Sequence, residues 1–368
     1  MIYGVLDLAG RNGGFLRRRE QAYQPDQRDI QVPANLISQL GLRPGDEIEA
    51  EPKPGGRPAL GRILKVNGRP PESLKNRPAF ERLTAIHPNE ALKLDCRLIR
   101  RGQPDQTNRV IDLMCPFGKG QRALIVAPAK AGKTMVLQAI AEGISVNYPA
   151  AALFILLVDE RPEEVFEIES AGFGEVIAST FDHPPARHVA CTELLLERAR
   201  RRVEQGEDVV LIVDSLTRLA RAYNSVVKGS GRTLSGGVGA ESLEAPKRFF
   251  GSARKVDPKA GGGSLTIIAT ALIDTGSKMD QLIYEEFKGT GNSELVLNRD
   301  LADRRIFPAI DLVASGTRKE ELLLSPEALV VSQKLRRQID RQPPAAAMEL
   351  LLTLMKRHAD NATLVQHG

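Results

Sequence analysis

Residues 123–140 read ALIVAPAKAGKTMVLQAI, which is an apolar run, a short loop of small residues and a stretch with helical spacing. Backbone N–H groups, a helix N-terminus and a point charge hold a phosphate, and a strand, loop and helix in this order supply all three. Gly132 would let the backbone approach the phosphates, Lys133 would reach the β and γ groups, and the Thr134 hydroxyl would hold Mg²⁺. The stretch predicts a nucleotide site. The alternative is a chance helix start, since Ala127 stands where the motif usually has glycine.

Two carboxylates follow other apolar runs, where the strands of a buried sheet are expected to end. Asp214 closes the run VVLIVD, and Glu160 follows LFILLVD. Ligands bind an open α/β sheet at the carboxyl ends of its strands. Asp214 is therefore predicted to hold Mg²⁺ through the metal's water shell, and Glu160 to orient and deprotonate the attacking water. The alternative is helix capping, which Asp159 would provide for a helix that begins near Pro162.

Apolar runs alternate with helical patterns through the rest of the chain. The runs LFILLV, EVIAS, VVLIV and LTIIATA are separated by helix-like segments such as RHVACTELLLERARRRVE. This alternation is typical of a parallel sheet covered by helices on both faces, so residues 83–368 are predicted to form an α/β P-loop ATPase domain. The cations Arg198, Arg200, Arg201 and Arg202 lie on one predicted helix and are expected to face solvent.

The first 67 residues have a different pattern. The short strand-like segments GVLDL, GGFLR, DIQV, DEIEA and RILKV are separated by Gly, Pro and Asn, and one short helix is predicted from Pro33 to Leu40, ending at Gly41. Five strands and one helix predict a small all-β barrel of the OB or cold-shock type over residues 1–67. Residues 68–82, GRPPESLKNRPAFER, are rich in Pro and charge and are predicted to be a linker.

The composition is that of an ordinary globular protein, with 42% hydrophobic and 26% charged residues and a net charge of +5. A basic balance weakly favours a polyanion partner. Cys96, Cys115 and Cys191 have no metal-ligand spacing, so reduced thiols in a cytoplasmic protein are expected. The N-terminus does not resemble a secretory signal, and the longest apolar run, Ala150 to Val158, is too short for a membrane helix.

Several longer stretches between residues 120 and 324 carry a resemblance to a known family. APAKAGKTM, LVDERPEEV, LIVDSLTRLARAYN, PKRFFGSAR and SGTRKEELLL occur in the order and near-identical form found in Rho transcription termination factors, in which Ala127 is also usual. The resemblance implies a hexameric ring of RecA-like ATPase domains that uses ATP and Mg²⁺. Such a ring threads single-stranded RNA through its pore and pulls the transcript from RNA polymerase. A weaker match reaches upstream to Gly4, so the chain is expected to lack the small helical subdomain that precedes the barrel in many relatives.

Carried over position by position, the resemblance gives several residues a role at the nucleotide. Arg318, in SGTRKEE, corresponds to the arginine finger that enters the neighbouring subunit's site, and Arg305 to a residue that senses the nucleotide state. Met135 and Phe307 correspond to apolar groups that sandwich the adenine. Otherwise, Arg318 would be a solvated cation and the two apolar residues ordinary core residues. The further nucleotide-binding positions are Lys130, Ala131, Gly132, Lys133, Thr134, Arg161 and Arg218.

Two loops resemble the elements that line the RNA pore. One is VVKGSGRTLSGGVG and the other is LIDTGSK, and small residues with a few hydroxyls and cations would grip phosphate and 2′-OH groups without reading sequence. Without the resemblance, each would be a Gly-rich surface loop. The pore residues implied are Arg232, Thr233, Ser235, Gly236, Gly237, Thr275 and Lys278.

The barrel departs from the family pattern. The resemblance implies that it binds RNA through Phe15 and Arg17, but Gly13 and Gln31 occupy positions that are usually aromatic. A stacked base contributes about 1 to 3 kcal/mol, so weaker binding at this primary site is expected. The cations Arg17, Arg18, Arg19 and Arg28 either track phosphates or form a solvated face.

Two other functions remain open. A rotary ATPase subunit would share the RecA-like fold, but the paired pore loops and the DERPEEV stretch argue against it. The other alternative is an RNA-binding regulatory module with a residual ATPase scaffold. A degenerate ATPase usually loses at least one catalytic group, whereas Lys133, Thr134, Glu160, Asp214 and Arg318 are all present here.

Overall fold

The computed structural model describes residues 1–10, 13–54, 59–100, 102–226, 233–234 and 238–367. The N-terminal elements are β1 (Ile2–Leu8), β2 (Gly14–Arg17), β3 (Ile30–Val32), α1 (Ala34–Leu40), β4 (Glu47–Pro52) and β5 (Leu60–Val66). The strands form an antiparallel sheet in the order β3-β2-β1-β4-β5 around a buried core that includes Leu6, Leu16 and Ile48. The five predicted strands are confirmed, and α1 ends as expected at Gly41 in the left-handed conformation.

The elements of the second unit alternate strand and helix through most of its length. Its strands are β6 (Ala85–Ile86), β7 (Ile99–Arg100), β8 (Gln103–Pro104), β9 (Arg122–Pro128), β10 (Ala152–Glu160), β11 (Glu175–Thr180), β12 (Asp208–Asp214), β13 (Thr233–Leu234), β14 (Val238–Gly239), β15 (Arg254–Val256), β16 (Ser264–Ile273), β17 (Ser293–Val296) and β18 (Gly316–Thr317). Its helices are α2 (Thr107–Met114), α3 (Lys133–Asn147), α4 (Pro162–Ala171), α5 (Pro185–Val203), α6 (Leu216–Val226), α7 (Glu244–Gly251), α8 (Lys278–Thr290), α9 (Arg299–Asp303), α10 (Pro326–Ile339), α11 (Pro344–Lys356) and α12 (Asn361–His367).

The large sheet has the order β11-β10-β12-β16-β9-β17-β18, and its first six strands run parallel. Side chains of one strand alternate between its two faces. Phe154 and Leu156 of β10 therefore pack into one hydrophobic cluster, with helices α5 and α6. Leu153 and Ile155 pack into the other, with α3. The predicted parallel sheet with helices on both faces is confirmed. It places the carboxyl ends of β10 and β12 side by side and that of β9 at the same edge, beyond β16.

The predicted linker is packed against both units. Leu74, in a short 3₁₀ helix at Pro71–Asn76, is buried in the core of the barrel. Phe80, in a second 3₁₀ helix at Phe80–Arg82, is fully buried in the core of the ATPase unit, and its N–H donates to Glu204 Oε1 at 2.9 Å. The segment therefore joins the barrel to the ATPase unit through apolar contacts rather than as a free tether.

The arginines of α5 correct one expectation, because two of the four are buried. Arg198 is only 3% exposed, where its guanidinium donates to Glu47 Oε1 of the barrel at 2.8 Å, to Tyr23 Oη at 2.7 Å and to Glu175 Oε2 at 2.9 Å. Arg201 is also buried and pairs with Glu204. The helical pattern could not reveal this, because the barrel that covers these cations packs on the charged face of α5.

Candidate nucleotide-binding site

The loop predicted to bind phosphate lies between β9 and α3. Gly132 has φ +87° and is the N-terminal cap of α3, so the backbone turns there in a conformation that side chains disfavour. Lys133 is the first residue of the helix, and Thr134 follows it, partly exposed. Lys130 is exposed with φ +65°, and Ala131 is buried. The predicted strand, loop and helix are confirmed, with the first N–H groups of a long helix facing the loop.

The structure brings Lys133 and Asp214 together. Lys133 Nζ lies 2.7 Å from each carboxylate oxygen of Asp214, at the carboxyl end of β12. Thr270 of the neighbouring strand β16 donates a hydrogen bond of 2.8 Å to Asp214 Oδ1. Sequence reasoning missed Thr270, because the apolar run LTIIATA has two threonines and nothing in the pattern distinguishes Thr270 from Thr266. Asp214 is thus fixed from both sides, with only 1% of its surface exposed.

Glu160 is the third member of this cluster and is also 1% exposed. Its Oε2 lies 3.7 Å from Lys133 Nζ and 3.3 Å from Arg218 Nη1 of α6. Burial raises the pKa of Glu160 to about 7, with Lys133 and Arg218 opposing the rise and Asp214 adding to it. Oε2 accepts no hydrogen bond within the described part of the chain, so one buried carboxylate oxygen has unused acceptor capacity. A carboxyl group poised near neutral pH suits proton transfer.

Asp159 does not cap the helix that follows. The N-cap of α4 is Arg161, which is exposed and makes no side-chain capping bond, and Pro162 takes the first helical position. The backbone of Glu160 is instead held by the residue that follows β11, because Phe181 N–H donates to Glu160 O at 3.1 Å. The interpretation that Asp159 and Glu160 only cap α4 is therefore disfavoured.

Apolar side chains border the loop. The ring of Phe307 lies next to Gly132, where a Cβ would be 3.6 Å from it. Phe307 is 36% exposed and Met135, in the first turn of α3, is 44% exposed, which is unusual for large apolar groups. Neither is an ordinary core residue, and contact with the adenine ring stays the prediction for both. Arg305 is exposed close by in the chain, with φ +61°.

Arg318 lies at the other end of the sheet. It follows β18, which pairs with β17 through Thr317 and Ser293, and Ser293 in turn pairs with Ala123 at the start of β9. The loop at Lys133 follows the opposite end of β9, and a seven-residue strand is about 20 Å long. An arginine side chain cannot span that distance. Arg318 is exposed, and the finger role stays a prediction.

The predicted pore residues are described only in part. Thr275 is exposed in the turn between β16 and α8, and its Oγ1 donates to Asp280 Oδ2 at 2.6 Å. Lys278 is exposed as the first residue of α8. Thr233 belongs to β13, but its side chain lies outside the described residues. Arg232, Ser235, Gly236 and Gly237 also lie outside the described residues.

The barrel's predicted RNA groups differ from one another. Arg17 is 9% exposed and donates to Asp7 Oδ2 at 2.8 Å and to Asp29 Oδ2 at 2.6 Å, which makes it a poor candidate for a free phosphate ligand. Its guanidinium also lies 5.1 Å from the ring centre of Phe15, which stays partly exposed. At Gly13, where φ is +112°, a Cβ would lie 2.4 Å from Val32 O, so an aromatic side chain does not fit there.

Comparison with known proteins assigns both units. The model of the ATP synthase alpha/beta family nucleotide-binding domain matches residues 107–317, and the model of the Rho termination factor RNA-binding domain matches residues 2–72. Among solved structures, a prototypical ATPase from the type III secretion system of pathogenic bacteria superposes with a TM-score of 0.63. It is 21% identical and covers 84% of this chain and 93% of its own, so it supports the fold alone.

Curated relatives are much closer in sequence. The transcription termination factor Rho of Escherichia coli strain K12 is 52% identical over 95% of this chain and 83% of its own length. That of Gemmatimonas aurantiaca is 53% identical over 96% of this chain, which spans only 48% of that relative's length. The family matches place an RNA-binding domain first in this chain and an ATP-hydrolase domain after it. The chain therefore belongs to the Rho family of transcription termination factors.

Proposed function

We propose that this protein is an ATP-driven motor that translocates along nascent RNA and releases the transcript from RNA polymerase. The observation that carries the proposal is the cluster of Lys133, Asp214 and Glu160, in which the lysine at the start of α3 meets carboxylates at the ends of the neighbouring strands β10 and β12. Binding domains have no need for a buried carboxyl group with a pKa of about 7 beside a P-loop lysine. The family membership supports the same activity.

The proposed roles follow from the position of each group. Lys133 and the first N–H groups of α3 would bind the β and γ phosphates, and Met135 and Phe307 would hold the adenine. Glu160, with unused acceptor capacity at Oε2, would take the proton of the attacking water. Arg218 lies 3.3 Å from that oxygen and would favour its charged form until the proton is transferred. Arg161 and Arg305 are exposed cations near the site that would face the nucleotide or the subunit interface.

The residues present fit Mg²⁺ that arrives with the nucleotide. Magnesium keeps several waters and binds through one or two carboxylates plus substrate phosphates. Asp214 supplies a fixed carboxylate, and Thr134 supplies a partly exposed hydroxyl at the start of α3. In the described parts of the chain, no group of three His, Cys, Asp or Glu side chains is suited to hold a metal ion alone. When bound, the ion would neutralise charge that develops on the phosphates.

The far position of Arg318 supports assembly into a ring. Because this arginine cannot reach its own chain's loop across β9, a finger role requires that a neighbouring copy receive it. A cation supplied across an interface accelerates phosphoryl transfer by roughly 10³-fold or more, which would link hydrolysis to the arrangement of the subunits. A hexameric ring, with pore loops that include Thr275 and Lys278, would then pull RNA through its centre.

RNA polymerase is the proposed partner, and the cytoplasm the proposed location, because the relatives are transcription termination factors. No helix within the described ranges is long and apolar enough to cross a membrane. The free cysteines, of which Cys115 and Cys191 are buried, agree with a reducing compartment.

ATP turnover with and without RNA tests the proposal. Purified protein should hydrolyse ATP faster with poly(C), and Lys133→Ala should abolish this because it removes the cation that binds the phosphates. Lys356→Ala, which removes an exposed lysine at the end of α11, should leave turnover unchanged. An RNA-binding module on an inactive scaffold would instead bind poly(C) with no turnover in any variant, and that result would exclude the motor.

A further inference from the structure

The backbone of Arg318 is attached to the first residues of β9 through Asn292. Arg318 N–H donates to Asn292 O at 2.9 Å. Asn292 N–H donates to Arg122 O at 3.0 Å, and Arg122 N–H donates to Asn292 Oδ1 at 2.9 Å. One asparagine therefore makes a two-way bridge to the strand and also holds the residue that follows β18.

Gln121 completes this bridge. Its side chain is fully buried, and Nε2 donates to Asn292 Oδ1 at 2.7 Å and to Asn292 O at 3.2 Å. Gln121 Oε1 accepts from Gly118 N–H at 3.2 Å, so both ends of the amide are satisfied. A buried amide with every group paired fixes one geometry, because any displacement leaves a donor or acceptor without a partner.

A second buried cluster fixes the residue before Arg318. Thr317 Oγ1 donates to Pro116 O at 2.8 Å and lies 2.9 Å from Ser293 Oγ. Cys115 Sγ donates to Glu294 O at 3.3 Å, between the same two strands. Thr317 is 9% exposed, and Ser293 and Cys115 are more deeply buried. The antiparallel pair of β17 and β18 is thus tied to the loop before β9 by buried polar groups.

The two clusters also hold like charges together. Arg122 donates to Thr290 O at 2.9 Å and to Ala253 O at 3.1 Å, and burial and then the charge of Arg318 lower its pKa. Two neighbouring cations repel one another, so an untethered Arg318 would move away from Arg122. Its backbone anchors oppose that movement.

We propose that Gln121 and Thr317 are positioning residues that set where Arg318 reaches into the neighbouring subunit. This inference rests on the proposed function, because it takes Arg318 as a finger that acts across the interface. Since β9 carries the phosphate loop at one end and these anchors at the other, each subunit presents its finger in a fixed relation to its own nucleotide site. A displacement near 1 Å at a reacting group costs about 10²-fold in rate, so a partial loosening should cost about tenfold.

Mixed assemblies of inactive subunits test this positioning role. Arg318→Ala subunits keep a nucleotide site but have no finger, and Lys133→Ala subunits keep the finger but have no site. With Lys133→Ala donors in excess, RNA-stimulated turnover should reappear at the Arg318→Ala sites. Adding Thr317→Val to the donors should lower the restored kcat about tenfold and leave KM for ATP within twofold, because valine keeps the shape of threonine and loses its hydroxyl.

Three controls locate the effect. Thr317→Val placed in the Arg318→Ala subunits instead should leave the restored turnover within twofold, and Thr317→Ser donors should restore turnover to the level given by native donors. Thr192→Val donors lose a different fully buried threonine hydroxyl, on α5, and should behave as native donors. An equal loss of turnover when Thr317→Val is placed in the Arg318→Ala subunits would overturn the positioning role. An equal loss of turnover with Thr192→Val donors would do the same. So would undiminished turnover with Thr317→Val donors.

The outcomes separate this inference from the function on which it rests. If Lys133→Ala and Arg318→Ala subunits do not complement at all, the finger across the interface is wrong, whatever Thr317 does. If Thr317→Val donors fail to assemble by mass in solution, Gln121→Leu donors, which lose only the amide, replace them with the same expected result. Failure of both to assemble would assign these residues to folding and overturn the inference.

Discussion

At the nucleotide site, Glu160 combines burial with a nearby cation on each side. Its carboxyl group is 1% exposed, and Lys133 Nζ and Arg218 Nη1 approach the same oxygen. Burial destabilises the charged form, whereas these cations stabilise it, and the resulting pKa of about 7 leaves both forms populated at neutral pH. A group that must accept a proton and then release it needs this balance.

Replacing this carboxyl group separates binding from chemistry. Glu160→Gln should lower kcat for ATP hydrolysis by roughly 10²- to 10⁴-fold, because an amide cannot act as a general base. Nucleotide affinity should change by no more than a few-fold, since Lys133 and the α3 N-terminus remain. Steady-state turnover and binding of a fluorescent ATP analogue measure the two effects. Glu163→Gln, on the exposed first turn of α4, is the matched control and should change neither turnover nor nucleotide affinity.

At the scale of residues, the sequence predicted position where a motif fixes it. The strand, loop and helix pattern placed Lys133 at the start of α3, and strand ends placed Asp214 and Glu160 within reach of it. Their roles stay predictions. Prediction failed at Thr270 and Arg198, whose partners are distant in sequence. A hydroxyl in an apolar strand, or an arginine on a charged helix face, carries no sign of a partner that only the folded chain supplies.

At the scale of elements, the contact between β4 and α5 is held by a buried ion cluster. Glu47 accepts from Arg198 Nε at 2.8 Å and from Arg202 Nε at 2.9 Å, and Tyr3 Oη donates to its other oxygen at 2.8 Å. Burial by itself raises the pKa of Glu47, but the two arginines outweigh it and hold this pKa at about 2. The barrel is thereby joined to the helix that covers the sheet.

The acid sensitivity of folding should report this cluster. Because the pKa of Glu47 is lowered from 4.5 to about 2, its stabilisation is complete above pH 4.5 and is lost as the pH falls towards 2. The shift corresponds to a contribution on the order of 3 kcal/mol to the free energy of unfolding. Urea unfolding between pH 3 and pH 7 should show Glu47→Gln less stable at pH 7 and less dependent on pH in the acid range.

A control on the same strand distinguishes this cluster from ordinary surface charge. Glu49 pairs with Lys65 at 3.5 Å, and the side chain of Lys65 is 53% exposed. Exposed pairs contribute about 0 to 1 kcal/mol, so Glu49→Gln should change the free energy of unfolding by less than about 1 kcal/mol. Equal effects of Glu47→Gln and Glu49→Gln would refute the buried cluster as the source of acid sensitivity.

The barrel's RNA surface has few stacking groups, and this should relax its base preference. Gly13 has no room for an aromatic ring, which leaves Phe15 as the predicted platform. ATP turnover should therefore be stimulated to a similar degree by poly(C) and poly(U). Phe15→Ala should weaken RNA binding by about 1 to 3 kcal/mol, and Phe166→Ala, an exposed phenylalanine on α4, should not. A strong requirement for cytidine would contradict this prediction.

For the whole molecule, the sequence predicted two units, a parallel sheet and a barrel, because strand periodicity and turn residues are local signals. It did not predict how the units join. The segment at 68–82 has a linker's composition, yet Leu74 enters the barrel core and Phe80 the ATPase core. Two isolated apolar residues give no periodicity, so only the assembled structure shows that the segment is packed.

The central claim is that a triphosphate held at Lys133 is hydrolysed with the help of Arg318 from an adjoining copy. The most direct test is the mass in solution, with ATP and RNA, under the conditions in which turnover is measured. A ring of six 40.2 kDa chains, about 240 kDa, is expected wherever hydrolysis occurs. Full turnover by a 40.2 kDa monomer would contradict the claim, because the length of β9 keeps Arg318 away from its own site.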